Sequence, residues 1–181
     1  MSEITTRLAL PGDVPILQQL IAHSVRGLSK GYYNDEQIES AIKYIFGIDS
    51  QLLLDETYYV AEADNQIIAC GGWSKRNTLF GGDQHKEFAD PLLDPAVDAA
   101  RIRAFFVSPD WARRGIGKMM INLCETEAGN YGFTTMELGA TLPGEPLYAA
   151  MGYKMLIDIQ VTMPDGVVLE IVKMQKQIIA I

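Results

Sequence analysis

Apolar and polar positions along this chain follow two periods, and the switches between them mark out its elements. Residues 4–10 read as a short strand, stopped by Pro11-Gly12-Asp13. Ile16, Leu17, Leu20, Ile21 and Val25 then recur at helical spacing, with Asp13 placed to cap the helix and Pro15 suited to its first turn. Gly27 and Gly31 bracket its end. A second helix starts at Asn34 or Asp35, gathers Ile38, Ala41, Ile42, Ile45 and Phe46 on one face, and stops at Gly47. Residues 57–62 are β-branched and aromatic, Ala63-Asp64-Asn65-Gln66 is a turn, and residues 67–73 return as the second strand of a hairpin. In that strand the paired Gly71-Gly72 predicts a bulge or a close backbone approach.

Residues 74–98 break the rhythm with Gly81-Gly82, Pro91, Pro95 and the acids Asp83, Glu87, Asp90, Asp94 and Asp98. A stretch of this length without periodicity predicts a long insertion loop between two core strands. Regular patterning resumes with a strand over 100–107, closed by Ser108-Pro109. A helix follows from about Arg114 to Gly129, its stripe formed by Ile116, Met119, Met120, Leu123 and Cys124. A strand over 134–140, a short helix opened by Pro143-Gly144 and closed by Gly152, and an antiparallel pair over 153–161 and 167–173 complete the chain. The expected order is β, α, α, β, β, β, α, β, α, β, β. It describes an α/β chain with a mixed, mostly antiparallel sheet in one domain spanning 1–181.

Composition narrows the function classes. With 48% hydrophobic and 21% charged residues, the chain is of globular type, and disorder, collagen and coiled coil are excluded. Cys70 and Cys124 are too few for a disulfide framework and read as buried thiols, and no His or Cys spacing predicts a metal. No apolar run is long enough to span a membrane, and residues 1–10 lack a signal core, so a cytoplasmic location is expected. The net charge of −8 disfavours nucleic acid. Within it, residues 101–118 carry Arg101, Arg103, Arg113, Arg114 and Lys118 against Asp110, a local +4.

That window holds the chemistry. A hydrophobic strand feeds the turn Ala112-Arg113-Arg114-Gly115-Ile116-Gly117-Lys118, which opens a helix. Helix N-termini present unpaired N–H groups and partial positive charge, and glycines let an anion approach the backbone. A pyrophosphate cradle follows. Neither the dinucleotide fingerprint nor the P-loop is complete: the third Gly of the first is Met120, and Gly117-Lys118 is followed by Met119.

Val107-Ser108-Pro109, Arg113-Arg114-Gly115-Ile116-Gly117-Lys118 and Leu147-Tyr148-Ala149-Ala150-Met151-Gly152-Tyr153 together resemble the motifs of the GNAT superfamily of N-acetyltransferases. Where the family's loop motif opens on Gln or Arg, this chain has Ala112. The resemblance implies the GNAT-like acyl-CoA N-acyltransferase fold, whose central sheet splays at the cofactor site and is flanked by helices. Acetyl-CoA would lie in the splay as co-substrate, its pantetheine along Phe105, Phe106 and Val107, its pyrophosphate on the amides from Arg113 to Lys118, with Thr141 at a position often held by Asn. Tyr148 would be the general acid toward the CoA thiolate, a role that suits a phenol. Tyr153 reads as core. A primary amine acceptor, small molecule or peptide, is implied, and homodimers are common in the superfamily.

Candidates on the acceptor side are Tyr32, Trp73 and Arg103, with Leu28, Tyr33 and Phe105 nearby. Arg103 is expected to pair with a substrate carboxylate or with the acids of the insertion. Glu62, Glu137, Glu145 and His85 are the groups weighed as general base. Two other readings stand beside transfer: an acyl-CoA-binding or regulatory module without activity, and a structural protein whose Gly-x-Gly turn is coincidental.

Overall fold

The computed structural model describes residues 2–86 and 89–179. Its strands are β1 (Thr5–Leu8), β2 (Tyr58–Ala63), β3 (Gln66–Ser74), β4 (Ala100–Val107), β5 (Thr135–Thr141), β6 (Lys154–Thr162) and β7 (Val168–Gln177). Its helices are α1 (Val14–Leu28), α2 (Asp35–Tyr44), α3 (Ser50–Leu54), α4 (Ile116–Tyr131) and α5 (Glu145–Ala150). The order of helices and strands is the expected one with the short α3 added, and two 3-10 turns, Pro11–Asp13 and Pro109–Trp111, stand between elements.

One seven-stranded sheet runs β1-β2-β3-β4-β5-β7-β6. Every neighbouring pair is antiparallel except β4 with β5. Alternation along the strands supplies two apolar faces. In β2, Val60 joins the core under α1 and α2, while the next residue, Ala61, joins the core under α4. Helices therefore cover both faces. The mixed α/β sheet flanked by helices matches the expected fold class.

Local chemistry explains most element ends. Asn34 caps α2 by accepting the Gln37 amide at 2.8 Å, and the Gln37 side chain accepts the Asn34 amide in return. Asp13, expected to cap α1, does not. A short 3-10 turn precedes α1, and the Asp13 carboxylate accepts the Leu10 amide at 2.8 Å and pairs with Arg7.

The Gly71-Gly72 expectation holds on both counts. The β3–β4 register passes from Cys70↔Phe106 to Gly72↔Arg103, so β4 carries one extra residue there. Ala104, inside that bulge, has φ 49°, and its carbonyl accepts the Tyr58 hydroxyl at 2.9 Å. A Cβ on Gly71 would meet the Phe105 ring at 2.3 Å, and a Cβ on Gly72 would meet the Thr57 carbonyl oxygen at 2.3 Å, the close backbone approach.

Candidate active site

The parallel contact between β4 and β5 is short. Its register pairs are Ala100↔Met136 and Arg101↔Glu137, and beyond them the two strands separate although both continue. The last register pair is also an ion pair: Arg101 donates to Glu137 at 2.6 Å. Glu137 is further engaged by Lys173 at 3.2 Å and Gln175 at 2.9 Å. The base of the splay is thereby clasped, and Glu137 is committed there.

A cleft of about 830 Å³ occupies the splay. One of its ends is the turn before α4. Gly115 has φ 82° and no atom within 4 Å of where a Cβ would stand, so its glycine is a backbone requirement. Arg113 also sits at positive φ, 65°, a conformation that bends successive amides toward one concavity. No side chain caps α4, and its first backbone bond is donated by Met119 to the Gly115 carbonyl at 3.0 Å. The amides of Ile116, Gly117 and Lys118 are consequently left without intrahelical acceptors. A Cβ on Gly117 would come within 2.8 Å of Leu147, so this glycine lets α5 close over the turn. Arg113 and Lys118 are exposed beside these amides. The donor set suits a pyrophosphate.

Among the expected cofactor residues, Phe105, Phe106, Val107, Arg113, Gly115, Ile116, Gly117, Lys118 and Thr141 line this one cleft. Arg114 does not; its guanidinium lies 4.7 Å over the Trp111 ring. Thr141 holds the loop that leads to α5, its Oγ1 accepting the Gly144 amide at 3.2 Å.

Tyr148, on α5, also lines the cleft. Its ring packs edge-on against Tyr153 at 5.7 Å. No hydrogen bond among the described residues uses its hydroxyl. Burial, with the neighbouring Cys124, holds that hydroxyl well above the ordinary tyrosine range. Tyr153 is core, as expected, and donates to Glu125 at 2.9 Å. Cys70 and Cys124 are buried free thiols; burial pushes Cys70 up to about 12, so neither is poised as a nucleophile.

The acceptor-side expectations fare unevenly. Tyr32 lines the cleft and is half exposed. Trp73 does not reach it. It is buried behind the sheet against Tyr131 and Phe133, because it follows the Gly71-Gly72 pair on the face covered by α4. Arg103 touches the cleft wall, but its side chain is 1% exposed and its charge is already matched by Asp49 at 2.9 Å. It also donates to the carbonyls of Thr78 and Gly81 in the insertion. Arg103 is thus an internal tie in place of a partner for a substrate carboxylate: its direct ion-pair partner is Asp49, outside the insertion, and of the insertion's acids Asp90 acts on it through its charge without a direct ion pair.

None of the carboxylates weighed as base lines the cleft. Glu62 pairs with Arg7 at 2.7 Å. His85 stacks on Phe80 at 5.1 Å outside the lining. Glu87 lies outside the described residues. No cluster of metal-ligating side chains occurs among the described residues, and none of their helices is long and apolar enough to cross a membrane.

One structural residue, Asp49, escaped the sequence. Asp49 is fully buried and meets both Arg103 and Lys86, the latter at 2.6 Å. The only trace of this in the sequence is an acid next to Ile48 in an apolar stretch. Tyr33, weighed on the acceptor side, does not line the cleft: it is buried, donates to the Glu170 carbonyl and accepts the Leu142 amide at 2.9 Å, tying the α1–α2 link to β7 and to the loop after β5.

A GCN5-related N-acetyltransferase of Rhodopseudomonas palustris is similar in structure over 98% of both chains, with a TM-score of 0.74 at 20% identity. The PaiA N-acetyltransferase of Thermoplasma acidophilum, in complex with coenzyme A, is similar over 97% of this chain and 99% of its own, with a TM-score of 0.63 at 18% identity. YncA of Salmonella typhimurium, with its cofactor acetyl-CoA, is similar over 97% and 94%, with a TM-score of 0.62 at 16% identity. Among curated proteins none matches this chain. At these identities the structures speak for the fold. The sequence carries the assignment: residues 22–153, which include the splayed strand, the amide cradle and Tyr148, match the model of the acetyltransferase (GNAT) family, and the chain belongs to that family.

Proposed function

We propose that this acetyltransferase transfers the acetyl group of acetyl-CoA to the nitrogen of a primary amine by direct attack, with Tyr148 as general acid. The chain would act as one GNAT domain, the insertion 74–98 forming part of its acceptor wall. The supporting observation is Tyr148 itself: a protonated hydroxyl, free of hydrogen bonds among the described residues, on the wall of the cleft that β4 and β5 open.

The other residues have positional roles. Amides of Ile116 to Lys118, with Arg113 and Lys118, would hold the pyrophosphate. The edge of β4 that β5 abandons would pair with the pantetheine arm, and an N–H near Val107 would face the developing oxyanion. Alignment of amine and thioester supplies most of the acceleration. Tyr148 then donates its proton to the departing thiolate.

Tyr148→Phe tests this. General-acid catalysis contributes roughly 10²-fold or more, so kcat should fall by about that factor while acetyl-CoA affinity stays within twofold or so. Unchanged turnover would remove Tyr148 from the mechanism. Saturable acetyl-CoA binding without turnover of any amine would favour the non-transferring module, and absence of binding would favour a structural protein.

A further inference from the structure

The part of the cleft lining supplied by α1, the α2–α3 link, the insertion and β4 is walled by Val25, Leu28, Phe46, Leu79, Phe80 and Phe106. Its polar side chains, Ser24, Ser29 and Tyr32, are neutral. Among the described residues lining the whole cleft there is no Asp, Glu or His. Of the three cations, Arg113 and Lys118 stand at the cradle. The third, Arg103, is paired with Asp49, which also meets Lys86, and Lys86 meets Asp90 at 3.2 Å. These two acids and two bases neutralise one another behind the wall. Among the described residues, this acceptor-side wall therefore presents an apolar surface with no unpaired charge.

A charge brought into such a site without a partner costs free energy. Spermidine and related polyamines would leave a second ammonium unpaired there. An amino acid would leave its carboxylate unpaired. Resting on the transferase reading, we propose that the acceptor is a small hydrophobic primary amine whose sole ionisable group is the nitrogen to be acetylated. The chain's net charge of −8 is no guide to the acceptor, because none of those acids is among the described cleft lining.

The same surroundings bear on activation. Apolar walls disfavour an ammonium and lower its pKa, so the neutral nucleophile is favoured without a lining carboxylate. The nitrogen lone pair forms the C–N bond to the acetyl carbonyl carbon, the C–S bond breaks with its electron pair going to sulfur, and the Tyr148 proton passes to that sulfur. The nitrogen releases its surplus proton to water, and water reprotonates Tyr148.

The test is calorimetric binding of 2-phenylethylamine, hexylamine, spermidine and phenylalanine to the protein saturated with CoA, at mildly alkaline pH. The two hydrophobic amines should bind at least about tenfold more tightly than spermidine or phenylalanine. Equal or tighter binding of spermidine or phenylalanine would overturn the proposal. Turnover of the same panel with acetyl-CoA is read separately: binding in the expected order without product would sink the transferase reading and leave only the ligand preference of the cleft standing. Tyr32→Glu places an acid at a half-exposed position of the wall, where the core is undisturbed. It should raise the affinity ratio of spermidine to 2-phenylethylamine several-fold, and an unchanged ratio would show that this part of the cleft is not the acceptor site.

Discussion

Replacing Arg103 with Met should be among the most damaging single changes in this protein, although Arg103 is not expected to touch either substrate. Both side chains of the Arg103–Asp49 pair are 1% exposed and their polar atoms stand 2.9 Å apart. Burial lowers the Arg103 pKa from its ordinary value, and Asp49, Asp90 and Tyr58 work against that shift. Removing one partner of a buried pair strands the other, at a cost of about 3–5 kcal/mol. Lys86 remains 2.6 Å from Asp49, which points to the lower end, about 3 kcal/mol. At roughly 2–4 °C per kcal/mol for a chain of this size, the unfolding midpoint should drop by about 6–12 °C. The variant also frees the carbonyls of Thr78 and Gly81, and the segment that follows Thr78 lines the cleft. KM for the amine should rise while acetyl-CoA affinity holds. Arg26→Met is the control: its partner Glu39 is close, at 2.7 Å, but both side chains are more than half exposed, so its loss should cost less than about 1 kcal/mol. Calorimetric melts of the two variants decide the matter. If Arg103→Met lowered the midpoint no more than Arg26→Met, the claim that this pair anchors the insertion would be wrong.

Gly115→Ala should weaken CoA binding about tenfold by calorimetry, because a side chain at φ 82° is strained by roughly 1–2 kcal/mol. Gly115→Asn should be milder, since Asn visits that region more readily, and equal losses would discount backbone strain. Acid should loosen the insertion through Asp90. Burial alone would raise this carboxyl, but the Thr78 amide at 2.7 Å, the Thr78 hydroxyl and Lys86 outweigh it and hold it below the ordinary range. With its folded value lower than its unfolded one, Asp90 stabilises fully above the unfolded pKa of about 4, and the contribution fades as pH falls through the lower folded value. Melting midpoints recorded downward from neutral pH should fall less steeply below about pH 4 in Asp90→Asn than in the parent, and parallel curves would refute the assignment.

Much of this molecule was readable from residues a few positions apart. The period-two stretch at 100–107 is β4 to the residue, and the Gly-x-Gly turn opens α4 because a helix start and a positive φ are demands on the local backbone. The paired glycines announced the bulge for the same reason: only glycine leaves room for Phe105 over Gly71. The three leucines of α3 were too short a run to show a period, and they form a helix because Asp49 caps it, the side chain accepting the Gln51 amide at 3.0 Å, and Leu52 enters the core. Trp73 looked like an aromatic of the acceptor wall, yet strand alternation turned it toward α4. Arg103 looked like a cation waiting for a substrate, and its partner lay far back in the chain at Asp49, whose only trace in the sequence is its place in an apolar stretch. The sequence by itself determined most of the order of elements and the Gly-x-Gly helix start, since each rests on neighbours in the chain, and its resemblance to the GNAT motifs singled out Tyr148. Tertiary structure alone decided which charges were spent internally, and hence that the described cleft lining away from the cradle carries no unpaired charge, because ion pairs form between residues that only the closed sheet brings together.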